Sequence, residues 1–202
     1  MTRARPGAAA AVLAAVLALL ALAAQGRADQ PAPPEAPAPG TATTFAPEPP
    51  DYHGEPYLGA VPRTLAGARV ISTPEAIALH DRGVPFIDVL PRQRRPEGLP
   101  EGTIWNARPH LTIPGAIWLA DTGYQRLAPA EQARLEAGLA RASRGDRDAP
   151  MVIFCKAMCW MSWNAARRAV ALGYRGVMWY PEGVDGWRQA GLPLEPAEPA
   201  NP

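Results

Sequence analysis

Met151-Val152-Ile153-Phe154-Cys155-Lys156-Ala157-Met158-Cys159-Trp160-Met161-Ser162-Trp163-Asn164-Ala165-Ala166 decides how this chain folds. Its first four residues are apolar without alternation, the pattern of a strand buried on both faces of a sheet. From about Ser162 to Leu172 the pattern is helical, and Gly173 closes it. Cys155 falls at the junction between them. In a parallel sheet, that junction is the crevice beyond the carboxyl ends of the strands. Loop N–H groups and a helix N-terminus there present partial positive charge, and Lys156 adds a full one, so thiolate is favoured over thiol.

Reading outward, apolar and helical segments alternate. Ala68 to Ile71 is a short apolar run, and Thr73-Pro74-Glu75 opens a helix to about Arg82, with Thr73 as cap. Phe86 to Leu90 reads as a buried strand, Pro91 to Pro109 as a long Arg- and Pro-rich loop, and Gly115 to Leu119 as another strand. Pro129 begins a helix to about Ala142. Val177 to Tyr180 is the last strand and Val184 to Ala190 a final short helix. The alternation predicts a single α/β domain: about five strands, mostly parallel, with helices on both faces.

The two ends read differently. Arg3 and Arg5 precede an apolar run from Ala8 to Ala24, with small residues before cleavage positions after Ala23 or Ala28. Residues 1–28 therefore read as a signal peptide, and the expected location is the periplasm with no stable membrane span after cleavage. Residues 29–50 read as a Pro-rich disordered tether, 51–66 as an N-terminal extension, 67–194 as the domain and 195–202 as a tail. With 20 basic and 19 acidic residues the charge gives no case for nucleic acid.

The cysteine pair leaves two readings open. One is a local structural disulfide or a pair of inert buried thiols; the other is a functional dithiol. A disulfide closing so short a loop removes little chain entropy, so stability alone explains the pair poorly. Haem attachment would need His where Trp160 stands. Zinc would need further ligands, and His53, His80 and His110 lack the spacing, so no metal is expected. A cysteine phosphatase would need Arg at Met161 to hold the anion.

Four segments in order resemble the rhodanese superfamily: Phe86-Ile87-Asp88-Val89, Ile113-Pro114-Gly115-Ala116-Ile117, the cysteine loop, and Gly183-Val184-Asp185-Gly186-Trp187. A closer resemblance is to the "PQQ-dependent catabolism-associated CXXCW motif" family. It is carried by Asp88-Val89-Leu90-Pro91, Cys159-Trp160-Met161-Ser162-Trp163-Asn164, Trp179-Tyr180-Pro181 and Asp185-Gly186-Trp187. The family name writes two residues between its cysteines, whereas three stand here. This resemblance implies an exported redox or sulfur-handling accessory to quinoprotein alcohol oxidation. The implied partners are a periplasmic quinoprotein dehydrogenase or its cytochrome, and the linked cofactor is pyrroloquinoline quinone or another redox cofactor. No cofactor of the chain's own is named.

The site residues follow. Cys155 is the expected nucleophile or persulfide carrier, and Cys159 the resolving or disulfide partner. Lys156, Trp160, Trp163 and Asp88 are candidate binding groups. Trp160 and Trp163 would offer an aromatic rim to a planar ligand or protein surface, the other reading being core packing. Asp88 alternatively orients backbone at its strand end, His110 is a crevice or solvated loop residue, and Arg92, Arg94 and Arg95 form a solvated run. The rhodanese loop's Gly and its Arg or Thr are missing, and Lys156 is the only cation left, which argues against thiosulfate turnover. The alternative function is a non-enzymatic cofactor- or partner-binding module with a structural disulfide.

Overall fold

A computed structural model describes residues 45–200, so the segment read as a signal peptide and most of the segment read as a Pro-rich tether lie outside the described residues. The elements in order are β1 (Arg69–Val70), α1 (Thr73–Asp81), β2 (Phe86–Asp88), β3 (His110–Thr112), β4 (Ile117–Trp118), α2 (Pro129–Ser143), β5 (Met151–Phe154), α3 (Trp160–Ala171), β6 (Val177–Tyr180), α4 (Gly183–Gln189) and β7 (Glu195–Ala197). Five strands pair in the order β1-β6-β5-β2-β4, and every pairing is parallel. The predicted α/β architecture is the one that forms.

The register explains the unbroken apolar strands. Ile87, Ile153 and Trp179 lie in one row across β2, β5 and β6, and Phe86, Val152 and Met178 lie in the next. Successive side chains point to opposite faces, so both faces need cover. One face packs Ile87, Met151, Ile153 and Trp179 against Leu135 and Leu139 of α2 and Trp163, Ala166 and Ala169 of α3. The other packs Phe86, Val152, Phe154 and Met178 against Ala76 and Leu79 of α1 and Val184 and Trp187 of α4.

Some boundaries differ from the sequence reading, each for a local reason. Ser72, not Thr73, caps α1: its N–H and hydroxyl both donate to the Glu75 carboxylate, at 2.9 and 2.8 Å. Strand β4 is only Ile117–Trp118. Helix α3 starts at Trp160, two residues before Ser162, with Cys159 at the N-cap.

The termini of the domain are more engaged than their composition suggests. Residues 195–197, read as tail, form β7 and pair antiparallel with β3, and the Ala200 N–H donates to the Trp118 carbonyl at 2.8 Å. Residues 45–50, read as the end of the tether, lie on the domain: the Ala46 N–H donates to the Val61 carbonyl, and Arg167 donates to the Pro49 carbonyl at 2.7 Å. Val61 and Leu65 of the extension join the core. Among the described residues no helix is long and apolar enough to cross a membrane.

Gly138 on α2 lets that helix approach the sheet, since a Cβ there would lie 2.3 Å from Leu119 Cδ1. A Gly to Ala change inside a helix ordinarily stabilises by about 1 kcal/mol. Here the sign reverses: Gly138→Ala overpacks and costs about 1–3 kcal/mol, read as a lowered urea midpoint.

Candidate functional site

The site is built where β5 ends. Cys155 follows Phe154, and its carbonyl accepts the Val184 N–H at 3.0 Å, tying the cysteine loop to the start of α4. Gly183 has φ of 51°, and a Cβ there would stand 2.2 Å from the Cys155 oxygen, so only glycine permits this approach. Lys156 pairs with Gly183 across an isolated bridge, and the Ala157 N–H donates to Asp185 Oδ2 at 3.1 Å. Met158 takes the left-handed conformation at the exposed tip of the loop, and the chain then turns into α3.

A strap from the N-terminal extension crosses the loop. Leu58 pairs with Cys159, the Trp160 N–H donates to the Tyr57 carbonyl at 2.9 Å, and the Gly59 N–H donates to the Met158 carbonyl at 2.9 Å. As a result Cys155 is 0% exposed and Cys159 2% exposed. The two are unlinked thiols. The crevice position expected of Cys155 is thus a closed one, and its enclosure disfavours the thiolate expected there.

The electrostatics divide the pair. Burial pushes the Cys155 thiol well up, reinforced by the neighbouring Cys159 sulfur; the Ser162 hydroxyl and N–H oppose this more weakly. Its thiol is enclosed near the carbonyls of Lys156 and Cys159, at 3.6 and 3.7 Å. Cys159 moves the other way. The Cys155 thiol beside it lowers its pKa most, burial opposes, and the N–H groups of Met161, Ser162 and Lys156 add further stabilisation of the thiolate. No side chain closes a cap hydrogen bond at Cys159, yet the Met161 and Ser162 N–H groups belong to the first turn and supply the positive end of α3. Burial makes Cys155 the less acidic of the two, and Cys159, at the N-cap, is the better placed to carry charge.

The tryptophans do not form a rim. Trp160 is 4% exposed, stacked on His53 with centroids 3.9 Å apart and edge-on to Trp163. Trp163 is fully buried and donates its indole N–H to the Thr64 carbonyl at 3.2 Å. Both rings are spent holding the extension onto α3, which corrects their placement as ligand-facing groups. Asn164, given no site role from the sequence, does the same: it accepts the His53 N–H at 2.8 Å and donates to the carbonyls of His53 and Gly123.

Asp88 is also interior. Its carboxylate accepts the Leu90 N–H at 2.8 Å, His110 Nε2 at 2.8 Å and the Thr112 hydroxyl at 2.7 Å. It thus orients backbone and His110 rather than meeting a ligand, and His110 stacks on Trp118 at 3.7 Å. Of the arginine run, Arg92 pairs with Asp121 at 2.8 Å and Arg95 donates to the carbonyls of Pro100 and Thr103. Lys156 lines a crevice of about 700 Å³ with His110 and Trp118, but neither cysteine lines it.

A family model described as "Rhodanese-like domain" matches residues 72–190, more than half the chain. The chain belongs to the rhodanese-like domain family. The solved polysulfide-sulfur transferase homodimer from Wolinella succinogenes is similar at 22% identity, over 64% of this chain and 80% of that one, with a TM-score of 0.40. No curated protein matches the sequence.

In this rhodanese-like domain Cys155 directly follows β5, and Cys159 stands at the N-cap of α3. Such a pair can exchange sulfur-sulfur bonds once the strap moves aside. The close approach at Gly183 gives a direct check. Gly183→Ala meets main chain at a positive φ, so it should destabilise by about 1–3 kcal/mol and speed alkylation of Cys159 as the loop is displaced. Equilibrium denaturation and timed iodoacetamide labelling measure the two effects.

Proposed function

We propose that this rhodanese-like protein carries out thiol–disulfide exchange, with Cys159 attacking and Cys155 resolving. The observation that carries it is geometric: Cys159 stands at the N-cap of α3, where the first-turn N–H groups favour a thiolate, with the fully buried Cys155 thiol directed at its carbonyl. This inverts the roles suggested by position alone.

The chemistry balances without a further oxidant. The Cys159 thiolate attacks a disulfide of a substrate protein or small thiol compound, forming a mixed disulfide and releasing one substrate thiolate. Cys155 then loses its proton to that thiolate or to solvent and attacks the Cys159 sulfur. The Cys155–Cys159 disulfide forms, and the second substrate sulfur leaves as thiolate. The substrate is reduced by two electrons and the protein is oxidised by two. Lifting the Tyr57–Gly59 strap is the access step, since its backbone hydrogen bonds cover Cys159.

The same pair constrains sulfur carriage. A persulfide on Cys159 lies next to a thiol that can attack its inner sulfur, giving the internal disulfide and hydrosulfide. Burial that keeps Cys155 protonated slows this loss, so transient persulfide carriage is compatible with the site.

The physiological setting rests on sequence resemblance to the CXXCW motif family. It supports a role as an accessory of quinoprotein alcohol oxidation, and the basic start and apolar run of residues 1–28 support export to the periplasm. In that setting the pyrroloquinoline quinone or other redox cofactor is held by the partner dehydrogenase or its cytochrome. A second reading, a non-enzymatic binding module, is favoured by the enclosure of both sulfurs and by Lys156 being the loop's only cation.

Alkylation followed by mass spectrometry tests the assignment of roles. A depressed pKa means that thiolate persists to lower pH. Cys159 should therefore label with a midpoint below the ordinary thiol value of about 8.5, while Cys155 resists until the protein unfolds. Cys155→Ala removes the largest influence on Cys159, so the midpoint should climb back toward the ordinary value. Labelling of Cys155 ahead of Cys159 contradicts the assignment.

Turnover separates the two readings. Reduction of a model disulfide by the dithiol protein should leave a Cys155–Cys159 disulfide. It should stop at a trapped mixed disulfide in Cys155→Ser and be abolished in Cys159→Ser. Undiminished activity in Cys159→Ser removes the exchange mechanism; no activity in the wild type, with retained capture of a quinoprotein partner, establishes the binding module.

A further inference from the structure

The crevice beside the cysteine loop has a chemistry of its own. It opens beyond the carboxyl ends of β2 and β4, between Leu90, Trp118 and the start of α4, and encloses about 700 Å³. That is the size of a small-molecule site rather than of a single bound ion. Leu90, Trp118 and Val184 give it apolar wall, so an organic body would be accommodated.

Its charges are arranged unevenly. Arg92 is committed to Asp121 at 2.8 Å, and Arg188 to Asp185 at 3.3 Å, so these pairs largely cancel. Lys156 and Arg108 also line the crevice, and among the described residues neither has a carboxylate within 4.0 Å. Glu198 is the one remaining anion on the wall. Two uncommitted cations against one carboxylate leave the crevice positive.

A third polar group is fixed in place. His110 lines the crevice, and its Nε2 is held by the fully buried Asp88 at 2.8 Å while its ring is clamped on Trp118 at 3.7 Å. No protein partner for its Nδ1 is present among the described residues. A side chain locked at one nitrogen offers the other to a ligand with little entropy left to lose.

We infer that this crevice binds a small organic carboxylate, its charge received by Lys156 and Arg108, its body lying against Leu90, Trp118 and Val184, and His110 orienting it. The inference goes beyond the dithiol chemistry and does not depend on it, because neither sulfur lines the crevice.

Calorimetric titration of the whole protein at low salt, with benzoate and separately with inorganic phosphate, tests this. Benzoate should bind saturably at one site. Lys156→Met and Arg108→Ala should each weaken it about tenfold, as expected for loss of one charge-assisted contact. Both substitutions lie on solvent-reached side chains, and Cys159→Ser should bind as the wild type does. The inference is overturned by any of four results: no saturable binding, affinity unchanged in both charge variants, phosphate binding as tightly as benzoate, or loss of binding in Cys159→Ser.

Discussion

The amino end of α3 is the constraint on which the rest of this molecule turns. A helix start presents N–H groups with no partner inside the helix, and most proteins meet them with an oxygen-bearing side chain. Here the residue at the cap is a cysteine, with a second sulfur close by, and both are sealed from water. Sulfur is a weak acceptor, so those N–H groups are best answered when one sulfur carries charge. Desolvation opposes two charges together, so at most one sulfur is favoured to ionise. The sheet delivers Cys155 to that place, Gly183 presses the next loop onto its carbonyl, and the extension closes over the top.

The sheet was legible because its strands state their environment in composition. Met151–Phe154 and Val177–Tyr180 are apolar at every position, and residues so patterned must be covered on both faces. Pro129 and Gly173 likewise mark a helix start and stop by local backbone chemistry. The β3–β7 pairing was not legible. It joins three residues near His110 to three near Pro196, and nothing within either segment names the other. Proline at an edge strand also imitates the composition of a tail.

The site was half legible for the same reason. That two cysteines sit between a buried strand and a helix can be read from neighbours along the chain. Which of them ionises cannot, because it depends on what lies above the loop. The covering residues, Tyr57 to Gly59, are about a hundred positions upstream of Cys159 and carry no motif. The tryptophans misled in a related way. An aromatic cluster after a cysteine suits an exposed rim equally well until His53 and Thr64 are seen to occupy Trp160 and Trp163.

The strap is pinned at both ends. Upstream, Arg167 of α3 grips the carbonyls of Pro49 and Pro50; downstream, Val61 and Leu65 are buried in the core. A segment fastened in this way bows outward instead of peeling from a free end. Exposing the sulfur beneath requires breaking the strap's hydrogen bonds to the loop while both anchors hold, so an opening here is local and leaves the domain folded.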